Sequence, residues 1–241
     1  MPSTESSIAL DPRRVTATID QLYHRIHDRF PGSGLSGVCK QLGDISRKAL
    51  QRSDFIRRPR WWIRGCAVAL IFAIVGLIAA TIVVLGGPKR ELGIIDFVGF
   101  LDAALNDIVF IGAAIFFLVT LELRIKRGRA LESLHELRSI AHLIDMHQLT
   151  KDPERLLNPG RETTHSPRRE MTPFELNRYL DYCTEMLSLT GKVAALYVQD
   201  FNDAVAVGAV NDIESLTTDL SRKIWQKIMI LQMSTSEQEP E

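Results

Sequence analysis

Gly65 to Gly87 read GCAVALIFAIVGLIAATIVVLGG, 23 residues without a charge. At ~1.5 Å rise per residue, a helix of about 20 residues crosses the hydrocarbon core of a bilayer. Helices buried in soluble proteins seldom stay apolar all round over such a length. The stretch predicts a transmembrane helix, and with it a fold organised around a membrane. Trp61 and Trp62 precede it, where indole rings favour the headgroup region. Arg64 is placed to snorkel to the same interface.

A second apolar run, IVFIGAAIFFLVTL, covers Ile108 to Leu121 and stops at Glu122, Arg124, Lys126 and Arg127. Counting back about 20 residues from that charged end places the other end near Ala103. Ahead of it, Asp96, Gly99, Asp102, Ala103 and Asn106 fall on one side of a helix at 100° per residue, with aliphatic and aromatic residues over the rest. Such a segment fits an interfacial helix or an extension of the second span. Asp96, Asp102, Asn106 and Asp107 are the candidate outer-interface or pore-mouth residues, since acidic rings serve cation channels.

The flanks set the orientation. Arg47, Lys48, Arg52, Arg57, Arg58, Arg60 and Arg64 precede the first run, and Arg124, Lys126, Arg127 and Arg129 follow the second. Only Lys89 and Arg90 lie between them. Cytoplasmic flanks carry the excess of Lys and Arg, so both termini are expected in the cytoplasm, on an inner (plasma) membrane crossed twice. The first run begins some sixty residues in, unlike a cleaved signal peptide. Arg57, Arg58, Arg60, Arg64, Arg124, Lys126 and Arg127 are the candidate contacts to lipid headgroups.

The remainder reads as helix. Asp11-Pro12 is a cap followed by proline in the first turn, with Val15, Ile19, Leu22 and Ile26 at helical spacing and a break at Pro31-Gly32. Val38, Leu42 and Ile45 mark a second helix. After the second span the helix is expected to run on to about Gln148. Leu134, Leu137, Ile140, Ala141 and Ile144 share one face. His135, Arg138, His142 and Asp145 lie opposite, as candidate contacts to a polar partner. Thr172-Pro173-Phe174-Glu175 spells a capping box. From Leu176 to Tyr197 a three–four spacing follows, then a break near Asp200 to Asp203. A second helix carries Val210, Ile213, Leu220, Ile224 and Leu231. The pair predicts an antiparallel, coiled-coil-like hairpin.

The expected class is all-α, a two-span transmembrane hairpin with a cytoplasmic helical bundle. Its parts are a loose polar N-terminus (1–10), N-terminal helices with a basic flank (11–60), span 1 (61–87) and an external connection (88–102). Span 2 (103–123), a cytoplasmic helix (124–150), a linker (151–170), the helical hairpin (171–233) and an acidic tail (234–241) complete it.

Little in the chain spells chemistry. The string His135-Glu136-Leu137-Arg138-Ser139 resembles the phosphoacceptor box of sensor histidine kinases. The resemblance covers these five residues and implies His135 as acceptor with Glu136 as its acid–base neighbour. Ile140 stands where that box has proline, and no glycine-rich nucleotide region follows. His135 and His142 are seven apart, ~10 Å along a helix, too far to share one ion at bonds near ~2 Å. Cys39, Cys66 and Cys183 are isolated, and a cytoplasmic setting disfavours disulfides. Gly34 and Gly37 lack the Lys-Ser/Thr of a phosphate loop. Ser166-Pro167 reads as linker. No cofactor is expected.

The chain has 29 basic and 29 acidic residues and a mean hydropathy of +0.02, which excludes a nucleic-acid-binding polycation. The layout of two spans and a helical cytoplasmic region is similar to that of the two-span effectors of bacterial defence systems. The expected function is non-enzymatic: a membrane-anchored interaction, signalling or scaffold module. Its expected partners are the lipid bilayer, further copies of itself joined through the C-terminal helices, and a cytoplasmic protein. The alternative is an oligomeric ion-conducting or membrane-perturbing effector with an acidic outer mouth.

Overall fold

The computed structural model describes residues 9–57, 94–153, 171–199 and 201–236, with individual residues between 65 and 83. Among the described residues every regular element is an α-helix: α1 (Pro12–Arg29), α2 (Gly34–Arg57), α3 (Ile94–Leu149), α4 (Pro173–Leu196) and α5 (Ala204–Ser236). The all-α expectation holds at this level.

The ends of the helices follow from local chemistry. Asp11 caps α1, its carboxylate accepting from the backbone N–H of Arg13 at 2.9 Å, with Pro12 in the first turn. The turn into α2 needs Gly32, at φ +71°, a conformation glycine adopts without steric cost. Thr172 and Glu175 close a reciprocal capping box at the start of α4. At α5 the carboxylate of Asp203 accepts from the N–H groups of Val205 and Ala206, each at 3.1 Å. That cap explains why α5 begins at Ala204.

The chain divides into two units, Met1–Arg57 with Arg129–Glu241, and Arg58–Gly128. The first unit is a helical bundle. Its core joins Ile19, Leu22 and Ile26 of α1, Leu35 and Leu42 of α2, Leu134, Leu137 and Ile144 of α3, and Leu180, Met186 and Leu187 of α4 with Ile224 of α5. Fully burying such a side chain stabilises the fold by about 1.5–3 kcal/mol. Gly191 of α4 faces Thr217 of α5: a Cβ there would meet Thr217 Oγ1 at 3.5 Å, an ordinary van der Waals contact. The pairing marks the antiparallel register of the hairpin. α1 also runs antiparallel to α4: the Leu10 N–H donates to Gln199 Oε1 at 3.1 Å, and Arg25 pairs with Glu185 nearer the start of α4. Thr16 and Ser46 share a buried hydroxyl hydrogen bond of 2.6 Å between α1 and α2.

In the second unit, Gly65, Val68, Ala69, Ile71, Phe72, Val75, Gly76, Ala79, Ala80 and Val83 are helical and exposed. The rest of the expected first span, Trp61, Trp62, the connection over 88–93 and Cys66 lie outside the described residues. One helix among the described residues is long and apolar enough to cross a membrane: α3, through a window within Ile108–Leu149 of which none is buried. α3 starts at Ile94 without a break before the apolar run. The segment carrying Asp96 and Asp102 is therefore a continuation of that helix.

α3 passes from one unit to the other at Arg129. Beyond that point Ala130, Leu134, Leu137, Ile140, Ala141 and Ile144 are buried, the set that three–four spacing selects. A single helix thus carries both the apolar window and a side of the helical core. The linker at 154–170, with Ser166, and the tail at 237–241 lie outside the described residues.

Candidate functional site

The most densely engineered place is where α3 ends. The last turn of a helix leaves carbonyl oxygens without intrahelical partners. Here Lys227 of α5 supplies the donor, its Nζ reaching Gln148 O at 3.0 Å and Lys151 O at 3.2 Å. The Lys151 N–H also donates to Gln148 O at 3.0 Å, closing the turn. A cation at a helix C-terminus is favoured by the helix dipole as well. Burial pushes the Lys227 pKa down, while Asp152, Asp145 and Cys183 pull it up.

Around this contact the side chains interlock. Gln148 is 2% exposed, and its Nε2 donates to Asp145 Oδ1 at 2.7 Å. The Gln148 Oε1 is buried with no hydrogen-bond partner among the described residues. The Lys151 ammonium lies 5.5 Å from the Tyr179 ring centroid, a cation–π arrangement. Tyr179 meets Phe30 edge-on at 5.5 Å, and Phe30 meets Tyr182 at 6.3 Å. Arg25 stacks over Tyr182 at 5.3 Å and grips Glu185 through both terminal nitrogens, at 2.9 and 3.1 Å. From the other side, α2 begins against His147, where a Cβ on Gly34 would run into the imidazole. The end of α3 is thereby held by α2, α4 and α5 together.

The arrangement holds a helix end, and the two described cysteines are buried. Burial pushes the Cys183 thiol up to about 12, so it stays protonated at neutral pH, where the thiolate is the reactive form. Cys39 is pushed up to about 12 by the same cause. Among the described residues no group of three or more His, Cys, Asp or Glu is placed to hold a metal ion.

A groove of about 870 Å³ opens between α1, α4 and α5, lined by Arg14, Thr18, Ser188, Lys192, Thr217 and Ser221 among others. Thr18, Thr217 and Ser221 donate their hydroxyl protons to carbonyls of their own helices, and the Lys192 ammonium donates to Ser188 Oγ. The lining is largely committed to local bonds.

The residues singled out from the sequence separate as follows. Asp102 and Asn106 are exposed and one turn apart on α3. Asp96 and Asp107 are helical, with side chains outside the described set, as is that of Arg57 in α2; Arg58, Arg60 and Arg64 lie outside it altogether. Arg124 is exposed. Lys126 pairs with Glu122 one turn earlier, at 2.8 Å, and is 14% exposed. Arg127 is half-buried.

His135, Arg138 and His142 are exposed, but Asp145 is half-buried and bonded to Gln148. The reason is angular. At ~100° per residue, Asp145 lies about 90° from the centre of the buried face, on its shoulder, whereas His135 points nearly opposite. His135, Arg138, His142 and Asp145 still fall within about 80° of one another around the helix, with Asp145 nearest the buried stripe. Sequence reasoning gave Lys227, Gln148, His147 and Gly34 no role at a site. No motif marks them, because the contacts of Lys227 with Gln148 and of Gly34 with His147 join different helices.

No family model, no curated protein and no solved structure matches this chain.

Proposed function

We propose that this protein is a non-enzymatic, membrane-anchored signalling or interaction module. In this reading it crosses an inner membrane twice, over 61–87 and 103–123, keeps both termini in the cytoplasm, and assembles with further copies and a cytoplasmic partner through its C-terminal helices. The observation that carries it is the continuity of α3, which runs unbroken from the apolar window to the residues clasped by Lys227. One continuous helix thus joins the apolar window to the cytoplasmic helices. The boundary residues support the span limits. Asp102 and Arg124 lie on one exposed side of α3, and their 22-residue separation is ~33 Å of helix, close to the ~30 Å hydrocarbon thickness. The basic flanks support the orientation and a headgroup role for Arg57, Arg58, Arg60, Arg64, Arg124 and Arg127.

The test is topological. Reporter proteins fused after residue 10, within 88–93 and after residue 236 are expected to report cytoplasm, outside and cytoplasm. The chain is expected to stay with membranes after an alkaline carbonate wash. Release by the wash, or an external C-terminal reporter, would overturn the reading.

A second reading, an oligomeric ion conduit, is favoured by the exposure of Asp102 and Asn106 one turn apart on α3. It requires ion flux through liposomes carrying the protein, reduced by Asp102→Ala with Asp107→Ala. Silent liposomes would leave only the first reading.

A further inference from the structure

Where α1 ends and α4 begins, Arg25, Arg29 and Arg178 with Asp28 and Tyr182 line a concavity of about 370 Å³. Three of its four charged walls are arginines. Arg25 is bonded to Glu185 and Arg178 to Asp181, yet their side chains remain 52% and 44% exposed, leaving guanidinium edges for further acceptors. Arg29 differs from both. It lies over the Phe174 ring, 5.4 Å from the centroid, and has no carboxylate bonded to it among the described residues. Its charge acts on Glu175, but that carboxylate is committed to the capping box with Thr172. Phe174 itself is 64% exposed. Arginine stacked on an exposed aromatic ring is the composition of a binding hot spot, and its planar fork suits carboxylates.

The chain supplies a matching segment. Residues 237–241 read Glu-Gln-Glu-Pro-Glu, three carboxylates and no cation. The helical register says where that segment leaves the bundle. Gly191 faces Thr217, so stepping back along α4 to Phe174 and equally far forward along α5 reaches Ser234. α5 ends at Ser236, level with the mouth of the concavity. Five extended residues reach about 17 Å, more than the ~10 Å width of the intervening helix.

We propose that the Arg25–Arg29–Arg178 concavity is the docking site of the chain's own acidic segment, residues 237–241. Glu237, Glu239 and Glu241 meet the guanidinium groups, with Arg29 the principal contact, and Asp28 limits how far the segment enters. The docked segment covers Phe174 and excludes other acidic peptides from this surface, so a partner must displace it. The inference stands apart from the membrane reading above, since it concerns the first unit alone.

A glutamate-specific endoproteinase cuts after Glu237, the bond after Glu239 being blocked by Pro240, and release of the C-terminal fragment from the purified full chain is followed by mass spectrometry. At low salt, Arg29→Gln with Arg178→Gln is expected to accelerate release about five- to tenfold, the scale of a few exposed ion pairs acting together. About 0.5 M NaCl is expected to do the same to the parent chain by screening. Arg29→Lys with Arg178→Lys is expected to keep most of the protection. Equal release from the parent and the Gln pair overturns the proposal. If the Gln pair has lost its helical melting transition, the salt comparison decides, and salt-independent release overturns it. Protection that grows with protein concentration also overturns it, because a second copy then provides the segment.

Discussion

The ammonium of Lys227, on α5, donates to the backbone carbonyl of Gln148 at the end of α3, 3.0 Å away and 79 residues earlier in the chain. The contact ends one helix with a side chain from another and so ties the two at that point. Lys227→Met keeps the aliphatic stem and removes the donor from Gln148 O and Lys151 O. A charge-assisted hydrogen bond at a half-buried site contributes about 1–2 kcal/mol. The variant is expected to lose that much in chemical unfolding. It is also expected to speed amide exchange at Lys151, whose N–H closes the same turn. Lys227→Arg is expected to recover part of the protection. Unchanged exchange at Lys151 would show that the turn holds itself.

The same region makes the protein sensitive to alkali. Burial raises the thiols of Cys39 and Cys183 from 9.0 to about 12. The unfolded chain releases these protons near pH 9, while the folded chain keeps them to about 12. Their stabilising contribution is whole below pH 9 and is lost as pH rises from 9 to 12, by about 1.4 kcal/mol per pH unit per thiol. Tyr179, pushed upward by burial, acts in the same direction. Lys227, pushed downward, acts in the opposite one, recovering stability as pH climbs toward 10.5. Melting temperatures are expected to fall steeply above pH 9. Cys183→Ala is expected to flatten that slope, whatever it does to the melting temperature at pH 7. A slope equal to the parent's would contradict the buried thiol.

Gly34 begins α2 against the imidazole of His147, with no room for a Cβ. Gly34→Ala forces the ring aside. Since a histidine side chain has some freedom to turn, the cost is expected near the low end of overpacking, about 1 kcal/mol. His147→Ala is expected to cancel most of that cost, giving a coupling energy of similar size in a double-mutant cycle read by denaturant unfolding. Additive effects of the two substitutions would place the contact elsewhere.

Periodicity alone made legible which side of each helix is buried, and local chemistry made legible where helices start. The spacing of Leu134, Leu137, Ile140, Ala141 and Ile144 and the Thr172–Glu175 box are both statements about neighbours within one helix. Spacing specifies a face; it carries no information about what the face meets. Gly34 against His147, Lys227 on Gln148 and Arg25 on Glu185 join residues 79 to 160 positions apart. Asp145 shows the limit within a helix too. A residue on the shoulder of the buried stripe belongs to whichever neighbour reaches it, here Gln148. Lys126 was legible as a boundary charge, and its pairing with Glu122 is a contact four residues apart that helical spacing allows.

The division of α3 into buried and exposed sides gives the sharpest comparison, because neighbouring residues differ. Leu137 is fully buried in the core, and Arg138 beside it is exposed. Leu137→Ala removes buried methyl groups and leaves a cavity, at an expected cost of about 2–5 kcal/mol. That is a large fraction of the stability of a typical domain. Arg138→Ala is expected within about 0.5 kcal/mol of the parent. Denaturant unfolding followed by far-ultraviolet circular dichroism reads both. The functional readings use the pair differently. If the exposed side of α3 contacts a cytoplasmic partner, Arg138→Ala and His142→Ala weaken partner capture while leaving the unfolding midpoint alone. Leu137→Ala weakens both together. A partner that is insensitive to Arg138 and His142 but lost with Leu137 needs only the folded bundle, and its contact then lies away from that side of α3.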